Sequence, residues 1–300
     1  MSAPTDVRPA VTAESRKAAA AAAFTMLLWS SSFVAIREVG DSLSPAPLTL
    51  LRLAVAAAAL APFVLARSEP GIRVSGRAFG LIALYGVLWL AAYSVALSAG
   101  EQHVDAGTSA LLVNIAPLLV AFGAGFFLGE GFPKPLLVGA AVSFGGVSLI
   151  AAGSSGRGDG LGVVLCVLAA VLYASGVLVQ KLAMRRTSDG LVITWLGCVV
   201  GAVALLPWLP QLIGQLGTAP TGDVVAAVYL GLAPTALGFS TWAYALRRTD
   251  AGKLSTSSYA VPALSVLLSW LLVSEAPAVW GFAGGAICLV GVAISRRRPR

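Results

Sequence analysis

The sequence predicts an all-α polytopic membrane protein with ten transmembrane helices, built as two inverted five-helix repeats. Three observations lead there. The 300-residue chain is 58% hydrophobic and only 11% charged, with a mean hydropathy of +0.88, far from the composition of a soluble globular domain. Ten mainly apolar runs are long enough to span a bilayer, which takes about 20 residues. Finally, Asp105-Ala106-Gly107, Pro117 and Glu130 recur as Asp250-Ala251-Gly252, Pro262 and Glu275, each displaced by 145 residues. The same offset carries Pro62-Phe63 onto Pro207-Trp208 and Gly146-Val147 onto Gly291-Val292, and an offset of 144 lays Trp29 to Arg37 over Tyr173 to Lys181. A period near half the chain in an apolar polypeptide is the signature of transporters built from internal repeats.

In chain order the expected spans are 18–39, 46–66, 79–99, 104–128, 134–152, 161–184, 191–209, 224–246, 252–273 and 278–295. All are expected as helices, because an unpaired backbone amide is too costly in hydrocarbon for open strands and the runs lack the period-two alternation of barrel strands. The alanines of the first span mimic a secretory signal. Its repeat mate is the sixth span, in mid-chain, which argues for a true span instead. Residues 1–17 are polar and expected to be disordered on the cytoplasmic side. The expected division is then a first repeat at 18–152, an outer-face Gly/Ser linker at 153–160, a second repeat at 161–295 and a basic cytoplasmic tail at 296–300.

Orientation follows from the basic residues. Of the Lys and Arg residues between spans, seventeen fall in one alternate set of segments, while only Arg37 and Arg157 fall in the other. Such a bias places both termini in the cytoplasm. Five spans per half being odd, the second half must enter from the opposite side, and inverted repeats place a binding site near the midplane between them. The net charge of +7 lies in short clusters rather than on a basic face, so nucleic-acid binding is not expected. Cys166, Cys198 and Cys288 stand alone in apolar segments with no metal or redox spacing, which marks them as packing residues.

The order and duplication of these motifs resemble the drug/metabolite transporter superfamily, specifically its EamA-type members. Trp29-Ser30-Ser31-Ser32-Phe33 is similar to the family's first-span W-x-x-x-F pattern, and Pro47 to Leu53 with Arg52 to its second-span arginine. The resemblance implies a secondary transporter in the bacterial inner membrane, moving small metabolites such as amino acids, usually outward. The chain departs from a symmetric pattern at Tyr173, the counterpart of Trp29, and at Gly197, the counterpart of Arg52.

Arg52 is the one basic residue inside an expected span, which makes it either an anion or carboxylate ligand or a structural charge that snorkels to the outer interface or pairs with Glu38 or Asp41. The acidic residues, Glu101, Asp105, Glu130 and Glu275 among them, fall at span ends or in loops, and His103 lies in an outer loop, so a buried proton relay is not expected. A cavity lining is expected from the repeat mates Trp29 and Tyr173, from Ser32, from Tyr85, Trp89 and Tyr93 at four-residue spacing, and from the aromatics of span eight, Trp242 above all. Plain packing is the competing reading. Pro117 and Pro262 are expected kinks, each freeing a carbonyl one turn upstream, beside Asn114, Ser258 and Tyr259. Trp195, Trp208, Trp270 and Trp280 suit an interfacial belt. The glycines of spans five and ten suit close helix packing, within one chain or in a homodimer.

No catalytic residue, metal set or cofactor is expected: the chain has one histidine, no buried acid by this reading and no phosphate-binding loop, which argues against an intramembrane enzyme and direct ATP drive. The expected partners are the lipid bilayer and a small-molecule substrate. Within transport, uptake is the alternative to export; a non-transporting structural membrane protein would not need the duplication.

Overall fold

The protein is described from a computed structural model, which covers residues 13–67, 74–104, 106–129, 131, 134–153, 160–187, 189–261, 264–265, 268, 271 and 279–295. Among the described residues all regular structure is helical. The helices are α1 (Ala13–Val39), α2 (Pro45–Arg67), α3 (Gly76–Glu101), α4 (Ala106–Val113), α5 (Ala116–Gly123), α6 (Lys134–Gly153), α7 (Gly160–Met184), α8 (Gly190–Ala204), α9 (Leu209–Leu216), α10 (Thr221–Arg248), α11 (Ala251–Ser255) and α12 (Val279–Ser295). Six stretches of these are long and apolar enough to cross a membrane, or seven if α8 and the helix beyond its bend count as one.

The chain starts earlier as helix than its polarity suggests: residues 13–17, expected as disordered tail, form the first turns of α1. Asp189 accepts hydrogen bonds from the amides of Leu191 and Val192 and so starts α8, as a short acidic side chain does at a helix N-cap. The linker residues 154–159 and the tail 296–300 lie outside the described residues.

One span departs from expectation. The run expected to continue to Leu209 stops at Ala204, and the chain bends by 54° into Leu206–Leu216. Pro207 cannot supply the amide that would extend α8, and the residue before a proline is driven out of helical geometry. The bent segment is clasped to the α1–α2 turn. Gln211 and Gln215 donate to Ser44 Oγ at 2.9 and 2.8 Å, Ser44 donates its backbone amide to Gln215 at 3.2 Å, and Ser42 donates to Asp223. In the first repeat the matching Pro62 is absorbed inside α2.

Two further irregularities are duplicated. The middle of α3, Gly86–Tyr93, and the middle of α10, Gly231–Leu237, are both wide π-helical turns, and their first residues are 145 apart. Each opening glycine marks a close backbone approach. A Cβ on Gly86 would sit 2.5 Å from the carbonyl oxygen of Gly197 in α8, and one on Gly231 would sit 2.9 Å from that of Arg52 in α2. Since Gly197 is the repeat mate of Arg52, the two crossings are one contact made twice: α3 on α8, and α10 on α2. α6 packs along α12, where Gly139, Gly146 and Gly291 are buried, and Gly285 of α12 faces Leu111 of α4.

Candidate functional site

Helices α1, α2, α3, α4, α7, α10 and the turn after α11 enclose one cavity, lined by Trp29, Ser32, Phe33, Arg52, Trp89, Tyr93, Leu97, Ala110, Val113, Asn114, Tyr173, Phe239, Ser258 and Val261. Space for water centres within it is about 40 Å³, room for a few waters and not for an amino acid. As it stands the cavity is narrow, largely filled by its own side chains.

The aromatic wall is built ring on ring. Trp89 meets Tyr173 at 4.9 Å between ring centres, Phe239 at 5.1 Å and Trp29 at 6.0 Å, and Tyr93 meets Tyr173 at 6.0 Å. These are the spacings at which rings attract through their quadrupoles. Glycines make the room: a Cβ on Gly176 would run into Trp89, and one on Gly238 would lie 3.1 Å from Trp29 Nε1. Nothing in the composition of α7 or α10 marks these two glycines; they become legible only when the rings facing them are known.

The lower wall is a broken helix. α4 ends at Val113 and α5 begins at Ala116, with Asn114 donating its amide to both Ala110 and Leu111. Pro117 removes the amide that would bond the Val113 carbonyl. In the second half α11 gives way to a 3-10 turn at Thr256–Tyr259, again one turn before the proline. Ser30 and Ser265 bond across this break, Ser30 Oγ to the Val261 carbonyl and Ser265 Oγ to the Ser30 carbonyl, both at 3.3 Å. Pro262 and the side chain of Tyr259 lie outside the described residues, as do Asp105, Glu130 and Glu275.

Among the residues expected at a binding cavity, Trp29, Ser32, Trp89, Tyr93, Asn114, Tyr173 and Ser258 are brought together here. Tyr85 and Trp242 are not in the lining. The Tyr85 ring meets Trp89 edge-on at 5.9 Å but, ahead of the π turn that starts at Gly86, it packs on Gly197 outside the lining. It fills the slot whose counterpart in the first half holds Arg52. Trp242 is fully buried behind Trp29, with ring centres 5.0 Å apart, while Phe239 takes the place expected of it. Trp195, half-buried, donates from Nε1 to the Ala57 carbonyl at 3.1 Å between α8 and α2, whereas Trp208 and Trp280 are exposed.

Arg52 neither snorkels outward nor pairs with Glu38 or Asp41. Only 6% exposed, it lines the cavity, donates from Nη2 to Thr235 Oγ1 at 3.5 Å, and leaves Nε and Nη1 buried without a partner. Trp29 Nε1 and Asn114 Nδ2 are likewise buried donors with no acceptor among the described residues. Glu101, expected at a span end, is there, at the last turn of α3, and is 1% exposed. A second, wider cleft of about 960 Å³ lies one helical turn away, between the first half of α1 and the α11 region, with Arg248 3.7 Å from Glu14 at its rim.

The EamA-like transporter family matches the sequence twice, over residues 16–152 and 160–297. A probable terminal-alkyne amino-acid exporter of Streptantibioticus cattleyicolor is 36% identical over 94% of both chains. An uncharacterized transporter of Bacillus subtilis, YdfC, is 30% identical over 88% of this chain and 86% of its own. The aromatic amino acid exporter YddG of Ancylobacter novellus is 29% identical over 85% and 88%. A crystal structure matches the fold with a TM-score of 0.68 at 21% identity, covering 94% of this chain and 97% of that one.

Proposed function

Because the chain belongs to the EamA-like transporter family of the drug/metabolite transporter superfamily, and is therefore a multi-pass membrane transporter rather than an enzyme, we propose that it exports amino acids with apolar or aromatic side chains by alternating access. The observation that carries this reading is the narrow aromatic cavity, walled by helices of both halves. Stacked rings offer an apolar surface that a hydrophobic side chain can share, while a few polar groups fix its orientation. The names of the relatives point to the same substrate class.

The proposal includes ten spans in two inverted repeats, at 18–152 and 161–295, in the bacterial inner membrane with both termini cytoplasmic. The duplicated π turns and crossings support that arrangement, since inverted halves exchange conformations to open one central site to either side. The narrow cavity would then be an intermediate, and the wide cleft beside α1 the route from the cytoplasmic side.

The test is counterflow into proteoliposomes of purified protein, using labelled leucine, phenylalanine and propargylglycine. Saturable exchange is expected, and should persist from pH 6 to 8, because none of the ionisable side-chain types in the lining titrates there when unperturbed. Net efflux from preloaded cells then assigns direction. No exchange of any of the three sinks the reading.

A further inference from the structure

We propose that Arg52 is the subsite for the substrate's carboxylate, so that the transporter recognises monoanionic acids and zwitterions and rejects the corresponding amides. The inference deepens the amino-acid reading above and rests on it for the identity of the substrate, though not for the site.

Among the described residues Arg52 is the only charged side chain in the cavity lining. Among the described residues its one hydrogen bond, to Thr235, is long, and two of its nitrogens are buried without an acceptor. A guanidinium stays protonated in proteins and presents its donors as a planar fork. The nearest opposite charge acting on it, Glu101, lies outside the lining, so the guanidinium is buried at a cost with most of its donors unused. A ligand that supplies one negative charge with two oxygens removes that cost, so binding energy is gained where the empty protein is least satisfied. Asn114 Nδ2, with no acceptor of its own, offers a second donor in the same lining.

The geometry also sets the charge of the ligand. A phosphate dianion would need a second cation, and the rest of the lining is neutral and largely aromatic. One fork and one amide suit one carboxylate. The site is single because the second half lacks it: the position equivalent to Arg52 is Gly197, and the Tyr85 ring occupies that slot. Substrate must therefore bind in one orientation although the fold is duplicated.

The experiment measures ligand-induced thermal shifts of the detergent-solubilised protein with leucine, phenylalanine and propargylglycine and the amide of each. The members of a pair differ only in the carboxylate, and no flux is needed. The acids should stabilise the wild type and the amides should not. Arg52→Gln should lose affinity for the acids by roughly tenfold or more, the scale of a hydrogen bond to a charged group. Its melt without ligand checks that it is folded, since Glu101 loses an opposite charge in this variant. Arg52→Lys keeps the charge and loses the fork, so it should retain part of the preference for acids.

Equal shifts by acids and amides, no shift by any pair, or an Arg52→Gln protein that still prefers acids would each overturn the proposal. If Arg52→Gln does not fold, the wild-type comparison and Arg52→Lys decide it. Acid-specific stabilisation without counterflow would support the carboxylate subsite while removing the transport reading for these compounds.

Discussion

Arg37 donates from Nη1 to the carbonyl oxygen of Glu101 at 2.8 Å, joining the last turn of α1 to the last turn of α3. The same contact occurs in the second half, where Lys181 at the end of α7 donates to the Leu246 carbonyl at 2.6 Å and the Thr249 carbonyl at 2.7 Å at the end of α10. Arg37 and Lys181 are 144 residues apart, and Glu101 and Leu246 are 145 apart. In each half a cation closes the C-terminus of the third long helix, where unpaired carbonyls and the helix dipole both favour positive charge.

Arg37→Met and Lys181→Met should therefore each destabilise the purified protein by about 1.5–3 kcal/mol per lost charged hydrogen bond, read as a lower melting temperature. The two sites share no partner in these contacts, so their effects should add to within about 0.5 kcal/mol in the double variant. Strong non-additivity in a thermal melt would show that the two latches are coupled.

Trp89 is 1% exposed and touches five other rings, so its removal is not a clean test of the cavity. Trp89→Ala should lose about 3–5 kcal/mol and much of the folded protein, as large-to-small core changes do. Trp89→Phe keeps most of the wall and should fold, with reduced counterflow. Normal flux in Trp89→Phe, measured per folded molecule, would take Trp89 out of the substrate path.

Glycine substitutions separate close approach from helix propensity. Gly86→Ala places a methyl group 2.5 Å from a backbone oxygen that cannot move aside, so expression of folded protein should fall sharply. Gly80, one and a half turns earlier on the same helix, has nothing within 4 Å of its missing Cβ. Gly80→Ala should be neutral or slightly stabilising. Size-exclusion profiles of the two variants make the comparison.

Topology is open to direct labelling in a background where cysteines are replaced by alanine. Cysteines at Gln102 and Thr218, both exposed, should react with an impermeant maleimide from outside intact cells, and one at Thr187 only after lysis. Thr187 reacting in intact cells would invert or dismantle the proposed orientation.

Composition and the 145-residue offset were enough to announce a helical membrane transporter, because apolar length and positive-charge bias are imposed by the bilayer on the sequence itself. The repeat mates Arg37 and Lys181, and the broken helices before Pro117 and Pro262, were also legible, since proline and cation positions act locally. The π turns at Gly86 and Gly231 left no mark beyond a glycine. They are set by how closely α3 and α10 approach α8 and α2, and that is a property of packed pairs rather than of one helix. For the same reason four-residue spacing brought Tyr85 against Trp89, as the structure has it, but gave no sign that the Tyr85 ring also packs on Gly197. Arg52 shows the limit most plainly: its flexible stem could reach the interface or the interior from the same backbone position, and only the enclosing helices aim it into the cavity.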